Sequence, residues 1–363
     1  MMGKRDNGRI YICHTFYHAY IAVVKELVKR HDSDAKADIM LSTMSNDFGK
    51  LPKRLEKTGV FGRVFMFDEK EDVTSEEVMS YHRDRGNILL NLLQRIKYTR
   101  LLGKLQEPHI PTDLSAYKDV YVFCDSDPIG YYLNYKKILY HAVEDGLNSG
   151  KLDDQARNAN RGAWPLKRAM AALGLIFIES GYSRYCIDYE VNDISANHSL
   201  PPNVVEEPRA ELNDKLTPED HEILTGIFLE DPERIKAELL GDGTDPRPNV
   251  MILTEPLCED DVRKKLFGDI IDMYKDDYRV IIKPHPRDLL DYGKAFPGIA
   301  VIRDKFPMEV LGDIEGFKVD KVISVITQME NTYFAKEIVY LGLDFLDKYE
   351  DPSIHRKTEN LDK

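Results

Sequence analysis

The sequence predicts an α/β protein built from two doubly wound halves. Near the amino terminus, an apolar run over residues 9–13 is followed by the polar pair His14-Thr15 and by helical periodicity over residues 16–30. Strand, polar turn and helix in this order are the first unit of a doubly wound sheet. A second series of the same kind begins at residues 249–253. Two such halves place a cleft between them, which is the usual position of a ligand.

The stretch between the two series divides the chain, because prolines interrupt it and its periodicity is weak. The predicted division is a first half at 1–205, a connection at 206–247, a second half at 248–345 and a tail at 346–363. Apolar runs rich in β-formers predict strands, and 3.6-residue periodicity predicts helices. The predicted strands are 9–13, 37–43, 63–67, 120–124, 137–143, 185–191, 249–253, 279–282, 299–302 and 321–323. The predicted helices are 16–30, 50–58, 82–105, 129–135, 164–178, one from about 217, 259–274, 307–311 and 330–339. Polar loops are predicted at 69–81 and 147–162.

Composition restricts the class of protein. The chain has 363 residues, 42% hydrophobic and 31% charged, and a net charge of −13, so general attraction to nucleic acid is not expected. No apolar run reaches the ~18 residues of a membrane span, and no signal-peptide core is evident. The four cysteines are widely spaced, which indicates reduced cytosolic thiols rather than a disulfide framework or structural zinc. The basic segment 95–104 allows contact with an anionic lipid or glycan, although a solvated helix face explains it more simply. Homodimerisation stays open.

One stretch in the second half holds a histidine between two prolines. Pro284 ends the predicted strand because it cannot donate to a ladder, and Pro286 keeps His285 out of the helical region. The result is a stiff turn at the carboxyl end of a strand, where ligands bind in open α/β sheets. The neighbouring cations are Lys283 and Arg287. A rigid imidazole beside cations suits an anionic leaving group such as a nucleotide phosphate, although a surface turn with an incidental histidine has the same sequence.

Carboxylates and hydroxyls follow other strands. Glu144-Asp145-Gly146 ends the strand at 137–143, and mutual repulsion would leave one carboxylate harder to ionise and able to accept a proton near neutral pH. Gly146 permits tight or positive-φ geometry. Ser324 and Thr327 stand at a strand–helix junction that would bind phosphate, or they simply cap a helix.

A second group of acidic and hydroxyl residues follows the strand at 249–253. Thr254, Glu255, Asp260 and Asp261 would hydrogen-bond ribose hydroxyls or supply the base, or they are helix-capping groups.

An alternative site is metal-dependent. Asp125-Ser126-Asp127 after an apolar strand has the spacing of oxygen ligands for Mg²⁺ or Mn²⁺ on a nucleotide diphosphate. His14 would line the cleft from the first strand. His18 and His141 are assigned to packing. There is no glycine fingerprint of a dinucleotide site, so a classical NAD enzyme is not favoured.

Together these motifs resemble bacterial sialyltransferases. Residues 11–18, Glu144-Asp145-Gly146, residues 283–286 and the pair Ser324 and Thr327 occur in the order of those enzymes. The opening segment, Tyr-Ile-Cys-His-Thr-Phe-Tyr-His, is most similar to glycosyltransferase family 52, the lipooligosaccharide and capsule sialyltransferases. The resemblance spans about residues 9–340.

The resemblance implies a GT-B architecture of two Rossmann-like domains facing a central cleft. It also implies CMP-sialic acid as donor, a galactose-type acceptor, inversion at the anomeric carbon and no metal or other cofactor. His285 would donate a proton or hydrogen bond to the departing CMP phosphate, and Ser324 and Thr327 would hold that phosphate. Asp145 or Glu144 would deprotonate the acceptor, with Asp260 or Asp261 as alternatives. The remaining predicted substrate-binding residues are Lys283, Pro286, Thr254, Glu255, Gly146, His14 and Thr15. We expect a cytoplasmic enzyme, with peripheral contact with the inner membrane surface left open. A transferase for another CMP-activated acid sugar of the Kdo type, the metal-dependent transferase, and a non-catalytic nucleotide- or glycan-binding protein remain alternatives.

Overall fold

The computed structural model describes residues 7–355 except 45, 70–74, 82, 148–159, 161, 198–199, 242, 244, 328 and 330–332. The chain divides into two compact units, Met1–Thr217 and Pro218–Lys363. The boundary lies inside the stretch 206–247 that the sequence marked as a connection. Each unit contains its own parallel sheet with helices, which confirms the predicted α/β class.

The amino-terminal unit is built on a sheet whose described pairs are all parallel. Its strand order is β3-β2-β1-β4-β5-β6-β7. The strands are β1 (Asn7–Cys13), β2 (Asp38–Ser42), β3 (Val64–Phe67), β4 (Tyr117–Phe123), β5 (Tyr140–Val143), β6 (Cys186–Val191) and β7 (Val204–Glu206). The order reverses direction between β1 and β4, so the carboxyl ends of these two strands flank the crevice where ligands bind in such sheets.

Helices cover this sheet, and the apolar β-formers of β1 and β4 are buried in its core. The helices are α1 (Phe16–Arg30), α2 (Leu51–Thr58), α3 (Glu76–Ser80), α4 (Ile88–Leu105), α5 (Pro128–Lys136), α6 (Trp164–Ala172) and α7 (Arg209–Asn213). Thr15 caps α1, because its Oγ1 accepts the His18 backbone N–H at 3.1 Å. This N-cap confirms the predicted start of the helix.

The carboxyl-terminal unit repeats the plan with the order β10-β9-β8-β11-β12. Its strands are β8 (Asn249–Leu253), β9 (Arg279–Lys283), β10 (Ala300–Val301), β11 (Val319–Ser324) and β12 (Ala335–Tyr340). Its helices are α8 (Pro218–Phe228), α9 (Pro232–Leu240), α10 (Asp260–Tyr274), α11 (Tyr292–Ala295), α12 (Leu343–Leu346) and α13 (Pro352–His355). In this sheet the strand order reverses direction between β8 and β11.

Short 3₁₀ helices occur in both units. The amino-terminal unit contains Glu107–His109, Leu114–Ala116 and Ile194–Ala196, and the carboxyl-terminal unit contains Met308–Asp313.

The predicted helix at 330–339 is wrong where the structure describes it. Residues Ala335–Tyr340 form β12, which pairs with β11. Alanine, lysine and glutamate favour a helix in isolation, but pairing with a neighbouring strand overrides that preference, and the charged side chains suit an edge strand.

Other boundaries also differ. The predicted loop 69–81 contains α3, and the predicted connection contains the three helices α7, α8 and α9. The helix expected from residue 82 begins only at Ile88, because Asn87 caps it with its side chain. The helix expected to reach 178 ends at Ala172. Most of the predicted loop 147–162 lies outside the described residues.

Within the described part of the chain, no helix combines the length and apolar character needed to cross a bilayer.

Candidate active site

The predicted residues of the carboxyl-terminal unit come together at one sheet edge. Thr254 and Glu255 follow β8, His285 follows β9, and Ser324 ends β11. β8 pairs with both β9 and β11, so these strand ends are neighbours. The sequence placed them on separate strands, and the strand order makes them one cluster.

The turn that carries His285 fixes one tautomer of its imidazole. The Arg287 backbone N–H donates to His285 Nδ1 at 3.1 Å, so Nδ1 carries no proton and Nε2–H is the donor. Burial, together with the charges of Arg287 and Lys283, lowers the pKa of His285 to about 4. At neutral pH the group is therefore an uncharged hydrogen-bond donor.

Asp288 stabilises this turn through buried hydrogen bonds. Its side chain is fully buried and accepts hydrogen bonds from Thr254 Oγ1 at 2.8 Å, Tyr292 Oη at 2.8 Å and Arg263 Nη1 at 2.6 Å. The Thr254 hydroxyl in turn accepts the His285 backbone N–H at 3.2 Å. This chain of contacts holds the imidazole in place, and the sequence analysis missed Asp288.

Asp288→Asn should lower the free energy of unfolding by about 3 kcal/mol, because it leaves the buried Arg263 guanidinium without its counter-charge. Urea unfolding would measure this. The control is Asp272→Asn, which removes an exposed carboxylate paired with Lys275 on α10 and should change stability by well under ~1 kcal/mol. Equal effects from both substitutions would contradict the buried role of Asp288.

Two predicted donor-binding cations differ in their placement. Lys283 is buried, and its Nζ donates to the Phe306 carbonyl at 3.0 Å and lies 4.2 Å from the centre of the Phe306 ring. Burial lowers the pKa of Lys283 to about 8. Arg287 is exposed and Pro286 is half-buried in the same turn. Arg287 is thus the cation of this turn that faces solvent.

The donors expected to hold phosphate bind a carboxylate of the protein itself. Glu255 accepts Ser324 Oγ at 3.0 Å, the Ile326 N–H at 3.2 Å and the Thr327 N–H at 2.5 Å. Ser324 Oγ also lies 2.9 Å from the Thr327 carbonyl. The arrangement has the donors of an anion site, and the Glu255 carboxylate occupies them.

The two alternative candidates for the base, Asp260 and Asp261, follow Glu255 closely in the sequence. Asp260 and Asp261 are exposed in the first turn of α10. The Asp260 carboxylate lies 3.5 Å from Arg263 Nη1.

In the amino-terminal unit, Asp145 is held by His18. His18 Nδ1 accepts the His14 backbone N–H at 3.1 Å, so Nε2 carries the proton. That nitrogen lies 2.7 Å from the Asp145 carbonyl and 3.1 Å from Asp145 Oδ1. Desolvation raises the pKa of Asp145, but the hydrogen bond from His18, together with the weaker effects of Cys124 and His14, outweighs it, and the net pKa is lowered. The Asp145 side chain, 59% exposed, is therefore an oriented, ionised carboxylate.

His18 was assigned to packing from the sequence, and it does stack on Phe123 with ring centres 5.0 Å apart. The sequence carries one signal of a second role for His18. His18 stands four residues after His14, in the first turn of the helix that follows β1. That turn faces the carboxyl edge of the sheet.

Glu144 points away from Asp145. It is buried, accepts the Asn192 N–H at 2.9 Å and lies 4.0 Å from Arg209 Nη2. Mutual repulsion therefore does not raise the pKa of Asp145, contrary to the sequence expectation. Gly146 has no positive φ, and a Cβ there would meet nothing within 4 Å, so the backbone itself does not require glycine.

His14 forms a buried ion pair. Its Nδ1–H donates to the Phe123 carbonyl at 2.9 Å and its Nε2 lies 2.5 Å from Glu69 Oε1. Glu69, which the sequence analysis missed, also accepts the Ser42 hydroxyl at 2.7 Å and the Ile129 N–H at 2.8 Å. Both ring nitrogens of His14 are bonded within the protein.

The predicted metal pair does not converge. Asp125 turns to the loop before β6, where it accepts the Ser180 N–H at 2.6 Å and the Tyr140 hydroxyl at 2.9 Å. Asp127 instead lies 3.4 Å from His14 Nε2. Ligand atoms of His14, Glu69 and Asp127 all lie within 4.8 Å of one another, so among the described residues these three side chains form a group that could hold a divalent cation.

The His14–Glu69 pair should make stability depend on pH. Desolvation opposes the charge on His14, but the Glu69 carboxylate raises its pKa to about 9 from 6.5. A raised pKa contributes stability that is complete below pH 6.5 and is lost as the pH rises to about 9. In EDTA, the melting temperature of the unchanged chain should fall over that window by several degrees more than that of His14→Gln. Parallel curves for the two proteins would contradict the ion pair.

Known proteins are similar to this chain in sequence and in fold. The sequence profile of glycosyltransferase family 52 matches residues 70–334. An uncharacterised protein of Haemophilus influenzae is 34% identical over 97 residues, which cover 25% of this chain and 31% of that protein. The chain thus spans about a third of the length of that curated relative.

Solved structures resemble this one in fold. The GT-B domain of a sialyltransferase from Photobacterium damselae has a TM-score of 0.51 at 14% identity and covers 91% of this chain and 90% of that one. A sialyltransferase structure from Photobacterium damsela has a TM-score of 0.48 at 12% identity, over 92% of this chain and 74% of that chain. The fold is therefore of the GT-B type. Because the family profile matches well over half of the sequence, the chain belongs to glycosyltransferase family 52 and is a glycosyltransferase.

Proposed function

We propose that the enzyme transfers sialic acid from CMP-sialic acid to a galactose-type terminus of a bacterial surface glycan, with inversion at the anomeric carbon. The observation that carries the proposal is the His285 turn. A neutral imidazole with Nε2–H fixed as donor stands at the carboxyl edge of a sheet, beside the exposed cation Arg287. This pair suits a departing phosphate. The structural neighbour with a TM-score of 0.51, the GT-B domain from Photobacterium damselae, is a sialyltransferase, which supports the same donor class.

Two residues would take separate parts in the reaction, a hydrogen-bond donor at the departing phosphate and a carboxylate at the acceptor hydroxyl. As the bond between the anomeric carbon and the phosphate oxygen breaks, charge develops on phosphate and the sugar becomes oxocarbenium-like. His285 Nε2–H stabilises that charge with a preorganised hydrogen bond. The acceptor oxygen forms the new bond, and its proton passes to a carboxylate, for which Asp145 is the best oriented group. CMP then leaves.

Binding of CMP requires a change around Glu255. This carboxylate occupies the amide and hydroxyl donors of residues 324–327, so phosphate and Glu255 compete for them. We propose that Glu255 moves to the donor's ribose hydroxyls when phosphate binds, which leaves Ser324 and Thr327 in their predicted roles.

We propose that no metal is required, because protein donors supply the charge stabilisation. CMP release from CMP-sialic acid should be accelerated by lactose, give a sialylated product and persist in EDTA. The group His14, Glu69 and Asp127 favours one rival, a metal-dependent transferase. Activity abolished by EDTA, restored by Mn²⁺ and lost in Asp127→Asn would establish that rival. Asp119→Asn, which changes a carboxylate outside the group, is the matched control.

The same assay separates the remaining alternatives. Release from CMP-Kdo but not from CMP-sialic acid would identify a different acid sugar. CMP binding by calorimetry without release from either donor would identify a binding protein.

All four cysteines are free, as expected in the reducing cytoplasm where we place the reaction.

A further inference from the structure

A cavity in the amino-terminal unit is lined in part by Ser126, close to the sheet edge that carries Asp145, and it has no role in the mechanism above. Its volume is about 890 Å³, within the range of ~300–1,000 Å³ typical of ligand pockets. α4, the segment before it and the start of α6 form its walls, and Ser126 lines one end. Ser126 lies next to Asp127 at the carboxyl end of β4, the sheet edge that also carries Asp145. A ligand whose terminal sugar reaches Asp145 can therefore extend into this cavity.

The walls combine tyrosines with cations. The aromatic lining is Tyr81, Tyr98 and Tyr131, and Tyr98 packs edge-on against Tyr131 with ring centres 5.6 Å apart. Such rings offer apolar faces together with hydroxyls that donate and accept, which suits sugar rings. The size and lining therefore fit an oligosaccharide.

Two of the lining cations have no carboxylate partner among the described residues. Arg95 on α4 and Lys167 on α6 both line the cavity, and both are half-buried. Burial lowers the pKa of Lys167, and the nearby Arg95 charge lowers it further. Of the acidic lining residues, Asp84 is bonded within its own turn to the Gly86 N–H and to Asn91. Glu179 adds to the effect of burial in raising the pKa of Asp125 and of Tyr131.

Two like charges brought together in a partly desolvated wall oppose each other unless an anion lies between them. The chain as a whole has a net charge of −13, so an unpaired pair of cations here is not a consequence of overall composition.

We propose that this cavity binds the part of the acceptor glycan remote from the reacting hydroxyl, and that Arg95 and Lys167 select acceptors carrying an anionic group, phosphate or carboxylate, at that remote position. The inference rests on the proposed function, because it assumes that Asp145 faces the acceptor hydroxyl. It adds a charge requirement that the family assignment does not contain.

Three acceptors with the same terminal galactose test it: lactose, lactose 1-phosphate and lactobionate. For the unchanged chain, kcat/KM should be at least about tenfold higher for one or both anionic acceptors, the scale of a single charge-assisted hydrogen bond. The two anionic arms distinguish phosphate from carboxylate. In Arg95→Gln and Lys167→Gln, the ratio of anionic to neutral kcat/KM should fall towards one. The preference of the unchanged chain should also weaken as salt is raised.

The matched control is Arg100→Gln, because Arg100 is an exposed cation of the same helix that does not line the cavity. It should keep the full preference. Calorimetry with lactose 1-phosphate and lactobionate, without donor, separates this inference from the proposed function. Binding that Arg95→Gln abolishes, without any sugar transfer, would support the anion site and overturn the function. Transfer with equal kcat/KM for all three acceptors would overturn the anion site and leave the function standing.

Discussion

The His285→Ala protein is expected to turn over CMP-sialic acid about 10²- to 10⁴-fold more slowly than the unchanged chain, the usual contribution of one positioned donor. The reason is geometric. The Arg287 N–H holds Nδ1, the Thr254 hydroxyl holds the His285 backbone, and Asp288 holds Thr254. Nε2–H is thus aimed without further reorganisation, and alanine removes it.

The pKa of His285 makes the role of the imidazole testable. A group that titrates near pH 4 in the free enzyme is already neutral at pH 5.5, so kcat/KM should not fall as the pH rises through 6.5. A steep loss between pH 6 and 7, absent from His285→Ala, would show instead that a charged imidazolium donates a proton.

The control for this substitution is His221→Ala. His221 lies on α8 in the same unit, half-buried, with its Nδ1 2.6 Å from Asp313 Oδ1, and it has no part in the His285 turn. It should retain turnover within a few-fold of the unchanged chain. Normal turnover in His285→Ala, with CMP binding and melting temperature unchanged, would remove His285 from the mechanism.

How much of this site the sequence could predict depended on the range of the interactions. The Pro-His-Pro turn is local, because two prolines restrict the backbone on both sides of His285, and its place after a strand followed directly. The N-cap at Thr15 was local as well.

Contacts between distant segments were not predictable in the same way. Glu69 meets His14 across 55 residues, Asp288 meets Thr254 across 34, and Glu255 meets Thr327 across 72. Each pairing depends on strand order, which decides which strand ends are neighbours. The same reason explains the adjacent carboxylates Glu144 and Asp145. The sequence treated them as a repelling pair, whereas the strand sends their side chains to Arg209 and His18.

Asp145→Asn is expected to lower transfer to lactose by about 10²- to 10⁴-fold, because an amide keeps the shape of the carboxylate but cannot accept the acceptor proton. Asp145 is favoured over Asp260 by its fixed orientation. His18 Nε2–H contacts both its carbonyl and Oδ1, whereas Asp260 is 67% exposed and has one described contact, at 3.5 Å. A base held in place before reaction loses less freedom in the transition state. Asp260→Asn and Asp261→Asn should therefore stay within about tenfold of the unchanged chain.

The pH profile tests the same assignment independently. The hydrogen bond from His18 lowers the pKa of Asp145, so the carboxylate stays ionised, and able to accept a proton, to lower pH than an ordinary aspartate. The acid limb of kcat/KM should then lie at lower pH than the limb of an unperturbed aspartate. His18→Ala, which removes the Nε2–H donor from the Asp145 carboxylate, should move the limb to higher pH, a shift that a merely structural role of His18 would not produce. Near-normal transfer in Asp145→Asn together with a large loss in Asp260→Asn would place the base in the carboxyl-terminal unit, and His18 would then hold the sheet edge rather than the chemistry.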